Sequence, residues 1–239
     1  MSDHRRGLWA VVPVKLFGRT KQRLIPLLSS QERQALARAM LEDVLSALTR
    51  APSLAGVAVI TGDADASAIA HAAGVRVIAD TQNAGTSAAV TVAAKHLEDM
   101  GHTGMLVIPA DVPLITPADV ETLVAAHRVA PSITLVPATV DGGTNALACS
   151  PLRAIPFAFG EDSMRRHRDA ARARGIEPLI LTLERIGHDL DRPDDVASFL
   201  RHPSPTNTYL CLTGIKVAER LQRAHRNMRD MLRAEHLLH

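Results

Sequence analysis

The sequence predicts an α/β fold, a Rossmann-like three-layer sandwich around a mostly parallel sheet. Three features of the chain lead there. Short apolar runs alternate with amphipathic stretches at regular spacing, the pattern of repeated βαβ units. Apolar residues make up 46% of the chain and aromatics only 3%, so Ala, Val, Leu and Ile must build the core. Aliphatic strands of that kind suit a parallel sheet covered by helices on both faces. The 239 residues fall within the span of one large domain.

The elements follow in order. Leu8 to Val14 is an apolar run of strand length, followed by a loop-like segment from Gly18 to Leu28. Ser29 or Ser30 caps a helix from about Gln31 to Arg50, with Glu32 in its first turn and Leu36, Met40, Leu41, Val44, Leu45 and Leu48 on its apolar stripe. Gly56 to Thr61 is a strand, Asp65 to Ala73 a helix stopped by Gly74, and Val75 to Ala79 a strand. Thr86 to Met100 is helical and stopped by Gly101. Met105 to Ile108 is a strand running into Pro109. Pro117 opens a helix reaching about Val129. Ile133 to Val136 and Asn145 to Cys149 are strands, Ser163 to Arg174 a basic helix, and Pro178 to Leu183 a strand. Asp189 to Asp191 is a short edge, and Pro193 to Leu200 a helix. A boundary at His202-Pro203-Ser204-Pro205 divides a domain of residues 1–202 from an extension of residues 203–239. That extension holds a helix from Ile215 to Leu238. Its apolar stripe is Ala218, Leu221, Met228, Met231, Leu232 and Leu238. Lys216, Arg220, Arg223, Arg226, Arg229 and Arg233 make it basic. Such a helix is expected to pack on its own domain or on a twin subunit, so a homodimer is possible.

Composition excludes several classes. The formal net charge is only +2, and almost no aromatics interleave the basic residues, so no nucleic-acid partner is expected. No run is long enough to span a membrane, and no secretory signal is read before Leu8, so a cytoplasmic protein without a membrane partner is expected. Cys149 and Cys211 lie far apart and read as reduced thiols. The eleven histidines show no metal-binding spacing.

Ligands of an open parallel sheet bind at the carboxyl ends of its strands. The first such place is the loop Lys15 to Leu24, which gathers Lys15, Arg19, Lys21 and Arg23 around Gly18. Those cations can wrap a triphosphate. The spacing is neither a Walker A loop nor GxGxxG, and a solvated basic turn is the alternative. The second is Asp111 in Pro109-Ala110-Asp111-Val112-Pro113, where a carboxylate ends a buried strand. Mg²⁺ takes one or two carboxylates together with phosphate oxygens. A turn cap is the alternative. The third is Asp189-Leu190-Asp191-Arg192-Pro193-Asp194-Asp195, where Asp194 and Asp195 fit a helix's first turn and Asp189 or Asp191 fits a metal. The fourth pairs Asp141-Gly142-Gly143-Thr144-Asn145-Ala146 with Phe159-Gly160-Glu161-Asp162-Ser163. Its glycines free backbone N–H groups, Thr144 and Ser163 add hydroxyls, and Ser163 can cap the basic helix behind it, whose N-terminus favours an anion. A hairpin turn plus an ordinary N-cap is the alternative, and taken alone the segment favours it.

These segments together resemble the 2-phospholactate guanylyltransferase family of deazaflavin coenzyme F-420 biosynthesis. The matching pieces are Pro13-Val14-Lys15 with Lys21-Gln22-Arg23-Leu24, then Pro109-Ala110-Asp111-Val112-Pro113. Asp141-Gly142-Gly143-Thr144-Asn145-Ala146-Leu147, Phe159-Gly160-Glu161-Asp162-Ser163 with His167, and Leu190-Asp191-Arg192-Pro193-Asp194-Asp195 complete the set. They occur in the family's order over residues 8–200. The resemblance implies a nucleotide-diphospho-sugar transferase-like fold, GTP and Mg²⁺. It also implies an acceptor among 2-phospholactate, phosphoenolpyruvate and 3-phosphoglycerate. Carried over by motif, Lys15, Lys21 and Arg23 meet the GTP phosphates, Asp111 and Asp191 hold metal, and Thr144, Gly160 and Ser163 bind the acceptor. Lys15 and Asp111 are the catalytic candidates. Two departures stand out: Asn83-Ala84-Gly85-Thr86-Ser87 follows Asp80 where the family often has Gly-Leu-Asn, and two glycines follow Asp141 where one is expected.

The implied reaction is attack of the acceptor's phosphate oxygen on the α-phosphorus of GTP, with pyrophosphate leaving. The rival readings are a molybdopterin or sugar-phosphate nucleotidyltransferase, and a GTP-binding regulatory protein without turnover.

Overall fold

A computed structural model describes residues 7–223. Among these residues, seven strands and eight α-helices form three layers. The strands are β1 (Leu8–Val14), β2 (Gly56–Thr61), β3 (Arg76–Ala79), β4 (Gly104–Val107), β5 (Ser132–Pro137), β6 (Thr144–Ser150) and β7 (Leu179–Ile180). The helices are α1 (Ser30–Thr49), α2 (Ala64–Ala72), α3 (Thr86–Asp99), α4 (Pro117–Ala126), α5 (Ser163–Arg172), α6 (Glu184–Gly187), α7 (Pro193–Leu200) and α8 (Asn207–Gly214). The sheet order is β3-β2-β1-β4-β6-β5-β7. Only β6 runs antiparallel to its neighbours. The sandwich expected from composition is the one observed.

Strand period sets the layers. Ala10, Val12 and Val14 of β1 point to one face and pack with Leu36, Met40, Leu41 and Val44 of α1. Val11 points to the other, where Ala89, Val90, Ala93 and Leu97 of α3 cover the sheet with Ile60 and Leu147. Small side chains on α3 let that helix lie close to the sheet. Both faces of β1 are covered, with Trp9 and Pro13 half-buried and its other residues buried, which explains its nearly unbroken apolar sequence.

Local signals fix most boundaries. Ser29 is the N-cap of α1: its Oγ accepts from Glu32 N, while Glu32 Oε2 accepts from Ser29 N. Gly74 (φ +69°) and Gly101 (φ +82°) end α2 and α3 in the left-handed region that side chains avoid. Cys149 is buried, and burial pushes its thiol up to about 12, while Cys211 is half-buried; neither forms a disulfide.

Four expectations need correction, and one helix was not expected. The strand expected over Pro178–Leu183 is only Leu179–Ile180, because it pairs with β5 alone at the sheet edge. Asp189–Asp191 is no strand: Leu190 N donates to the Asp111 carbonyl and Asp191 N to the Asp195 carboxylate, so a ladder has nothing to use. Helix α4 stops at Ala126, short of Val129, where His127 turns to an extended backbone. Ser163 does not cap α5; Asp162 is the N-cap, held left-handed at φ 53°, and Ser163 is the first helical residue, buried.

The unexpected helix is α8 (Asn207–Gly214), which precedes the helix expected from Ile215; that expected helix is seen over 217–223. Thr206 Oγ1 accepts from Tyr209 N, and the Asp43 carboxylate on α1 accepts from the N–H groups of Asn207 and Thr208. A carboxylate 164 residues distant in sequence supplies the start signal, so local pattern could not show it. Lys216, at φ 56°, interrupts the helical run, which resumes over 217–223. This segment packs on its own domain: Leu212 and Val217 are fully buried in the α1-side core, and Arg220 makes a two-pronged pair with Glu32. Met228, Met231, Leu232, Leu238, Arg226, Arg229 and Arg233 lie outside the described residues.

Candidate active site

From β1 the chain goes to β2 and β3 on one side, then returns to β4 on the other. That reversal separates the loops after β1 and β4 and leaves a crevice between them, where open α/β sheets bind ligands. Lys15 follows β1 and Asp111 follows β4, so both belong to the crevice walls.

The crevice has two lobes. The first, of about 320 Å³, is lined by Lys15, Arg19, Lys21, Arg23, Asp111 and Asp191 among others. The second, of about 200 Å³, is lined by Val14, Lys15, Asp80, Asn83, Gly85 and Thr86 and presents mostly apolar surface. Lys15, Arg19 and Thr86 border both. The expected Lys15, Lys21, Arg23, Asp111 and Asp191 thus converge, with Arg23 and Asp191 meeting across 168 residues of sequence.

Lys21 organises the first lobe. Its side chain is only 4% exposed, and its Nζ lies 2.7 Å from Asp111 Oδ2 and 3.7 Å from Asp191 Oδ1. Burial alone pulls the ammonium's pKa down, but the charges of Asp111 and Asp191 outweigh it and the net shift is upward. Lys21 stays charged. It also sits at φ 52°, a backbone state that costs a non-glycine residue about 1 kcal/mol and persists where surroundings impose it. Arg23 Nη1 holds the other oxygen of Asp191 at 2.6 Å. Asp189 stands behind the pair. Burial raises its pKa, and the negative charge of Asp111 raises it further.

The loops are stitched together. Leu190 N donates to the Asp111 carbonyl at 3.0 Å, locking the aspartate loop after α6 to the loop after β4. Phe17 N donates to Asp63 Oδ2 at 2.8 Å, while Asp63 Oδ1 caps α2 through Asp65 N and Ala66 N. Asp63 therefore anchors the cationic loop, a role the sequence did not reveal. A bond to a backbone N–H 46 residues away has no local signal. Thr86, bordering both lobes, was likewise read only as a helix start.

The fourth segment is built differently from its expectation. Thr144 and Ser163 are buried, so their hydroxyls are not open surface. Thr144 Oγ1 lies 3.0 Å from His167 Nδ1, and His167 Nε2 accepts from Ala158 N at 2.9 Å. An accepting Nε2 assigns the proton to Nδ1, which donates to Thr144. Burial, aided by Arg166, pushes His167 down to about 4, so the ring is neutral at pH 7. Gly160 is exposed at φ +116°, and Phe159 N donates to Ser87 Oγ in the first turn of α3. These residues form a rigid support that carries the 158–162 loop to the start of α3; they do not line either lobe.

The family described as guanylyl transferase CofC like matches residues 8–233. The chain belongs to that family. It is 38% identical over 198 residues, 83% of this chain and 87% of the relative, to a protein of Roseiflexus sp. (strain RS-1) named phosphoenolpyruvate guanylyltransferase. It is 36% identical over 200 residues, 84% of this chain and 94% of the relative, to one of Colwellia psychrerythraea named 3-phospho-D-glycerate guanylyltransferase. Among solved structures, one described as a putative nucleotide-diphospho-sugar transferase from Desulfovibrio desulfuricans G20 aligns with TM-score 0.70 at 18% identity, covering 92% of this chain and 98% of its own. That likeness speaks for the fold. The chain is a nucleotidyltransferase, and the crevice between β1 and β4 is its candidate active site.

Proposed function

We propose that this chain transfers GMP from GTP to the phosphate of a three-carbon phospho-acid and releases pyrophosphate. The observation that carries the reading is the meeting of Lys15, Lys21 and Arg23 with Asp111 and Asp191 at the sheet's reversal point. A reaction between two anions needs such a place. The names of the relatives put phosphoenolpyruvate and 3-phospho-D-glycerate first among acceptors, with 2-phospholactate the third to test. The product would serve the biosynthesis of coenzyme F-420, in the cytoplasm.

In this reading a phosphate oxygen of the acceptor attacks the α-phosphorus of GTP. The bond from that phosphorus to the oxygen bridging the β-phosphate breaks, and pyrophosphate leaves with the bonding pair. The nucleophile is already an anion at neutral pH, so no strong general base is required. The neutral, buried His167 fits a structural role. Lys15, Lys21 and Arg23 hold the GTP phosphates by charge-assisted bonds and offset the charge that builds on the departing oxygens. The second, less polar lobe takes the nucleoside, with Asp80 and Asn83 offering polar atoms to it. Of the three acceptor candidates, Thr144 and Ser163 are buried behind the 158–162 loop and act through it, and only Gly160, at φ +116°, has backbone on the surface to meet the acceptor beside the crevice.

Mg²⁺ fits the donor set. Asp111 and Asp191 direct carboxylate oxygens at one cationic centre, now the Lys21 ammonium, and an all-oxygen pair completed by phosphate oxygens is what Mg²⁺ takes. Among the described residues no group of three or more His, Cys, Asp or Glu side chains is arranged to hold a metal, so nucleotide oxygens would have to complete the shell. When bound, Mg²⁺ would supply Lewis-acid stabilisation of the phosphate charge.

The test is pyrophosphate release from each of the four common NTPs with Mg²⁺, with each of the three acceptors. Release with GTP and one acceptor supports the reading. GTP binding with no release for any acceptor refutes it and favours a binding protein, and release only with CTP or ATP moves the chain to another nucleotidyl transfer.

A further inference from the structure

Asn145 is buried in β6 and touches neither lobe of the crevice. Its Nδ2 lies 3.0 Å from the Ile186 carbonyl, 3.1 Å from the Gly187 carbonyl and 3.1 Å from Asp189 Oδ1. Two amide hydrogens therefore serve three acceptors, all within the turn that ends α6. The Gly187 carbonyl also receives Thr139 N at 2.9 Å and Thr139 Oγ1 at 3.0 Å. The turn is held close, since a Cβ on Gly187 would stand 2.8 Å from Thr139 Oγ1 and would push that hydroxyl aside. Directly after this clamp come Leu190, whose N–H reaches the Asp111 carbonyl, and Asp191, whose carboxylate meets Lys21 and Arg23. One amide thus fixes the base of the loop that delivers Asp191.

We propose that Asn145 is a positioning residue for the cation site: it sets the distance between Asp191 and Asp111 by holding the 186–189 turn against β6. The inference rests on the reading that Asp111 and Asp191 hold the divalent ion. It has a physical reason. An ion site formed by two loops weakens steeply when one loop drifts, and partners that orient ligating carboxylates typically contribute a factor of roughly 10–100 in metal affinity. No other element of the sheet bonds to both the 186–187 carbonyls and the Asp189 side chain among the bonds described.

The experiment titrates Mn²⁺, as the probe, into the protein with GTP and no acceptor, reading bound ion from water-proton relaxation. Asn145→Ala, Asp191→Asn, Asp111→Asn and the double variant Asn145→Ala/Asp191→Asn are compared, with melting curves for each. Asn145→Ala is expected to weaken Mn²⁺ binding roughly 10–100-fold. Added to Asp191→Asn it should cost less than about threefold more, because neighbours acting through one group are not additive. Wild-type binding in Asn145→Ala, or a full independent factor in the double variant, overturns the inference. If Asn145→Ala does not fold, Asn145→Asp keeps the size and turns the donor into an acceptor facing two carbonyls and Asp189. It should bind Mn²⁺ at least as poorly, and wild-type affinity there overturns the proposal. If neither Asp111→Asn nor Asp191→Asn alters Mn²⁺ binding, the metal reading itself fails, an outcome distinct from failure of Asn145 alone.

Discussion

Replacing Asp111 by asparagine probes the crevice with the least change of shape. The carboxylate accepts from the Lys21 ammonium at 2.7 Å and is itself 29% exposed, while Lys21 is nearly buried. Removing one partner of a fully buried pair costs about 3–5 kcal/mol because the remaining charge is left alone. Here the loss is smaller. Asp191 stays 3.7 Å from Nζ, and an amide oxygen can still accept the bond. The stability cost is therefore about 1–2 kcal/mol. For a domain this size each kcal/mol lowers Tm by about 2–4 °C, so the expected drop is about 2–8 °C. Activity should fall much further. Through the divalent ion that Asp111 would hold against the phosphates, its loss removes charge stabilisation worth about 3–4 kcal/mol of the barrier, or roughly 10²–10³-fold in kcat. The assay pairs thermal melting with pyrophosphate release at saturating GTP and acceptor, and repeats the rate at raised Mg²⁺. A folded Asp111→Asn variant with kcat within twofold of wild type would remove Asp111 from the chemistry, as would activity lost only through unfolding.

Three further outcomes follow from named contacts. His167 has a folded pKa of about 4 against an ordinary 6.5, so the unfolded chain takes up its proton first as pH falls. Its contribution is complete above pH 6.5 and declines as pH falls toward 4, by at most roughly 3 kcal/mol; urea unfolding from pH 7 to 4 should show this decline reduced in His167→Gln. Glu32 is held at about 2, first by Arg220 and then by Ser29, so its stabilising effect is present above its ordinary 4.5 and is lost as pH falls toward 2. The pair is partly exposed, so Arg220→Met should cost only about 1 kcal/mol, whereas Leu212→Ala, fully buried on the same C-terminal segment, should cost about 2–4 kcal/mol; chemical denaturation ranks the two, and equal costs would argue against α8 as part of the core. Asp63→Ala removes the α2 cap and the anchor of Phe17 N, so it should cost about 1–2 kcal/mol and raise KM for GTP more than it lowers kcat; an unchanged KM would separate the cap from the loop.

Much of the fold was legible because it obeys local rules. The apolar run of β1, the Ser29–Glu32 box and the stops at Gly74 and Gly101 are each written within a few residues. What stayed hidden is carried by distant partners. Asp43 starts α8, the β4 loop takes the N–H of Leu190, and β6 meets both neighbours antiparallel. The site followed the same division. Lys21, Arg23, Asp111 and Asp191 stood out as charges at the ends of strands and beside glycine or proline. Asp63 carried no signal as a site residue, and Thr144 and Ser163 read as hydroxyls open to a ligand until packing buried them. Resemblance in the order of motifs supplied the chemistry that spacing alone left open.

Guanylyl transfer in the β1–β4 crevice is tested most simply by following the label from GTP marked at its α-phosphorus, incubated with Mg²⁺ and phosphoenolpyruvate or 3-phospho-D-glycerate. The α-label is expected to move into a compound joining GMP and acceptor through a new phosphoanhydride, while a γ-label leaves with pyrophosphate. An α-label that stays in GTP, or appears only in free GMP or GDP with every acceptor, would rule out that transfer.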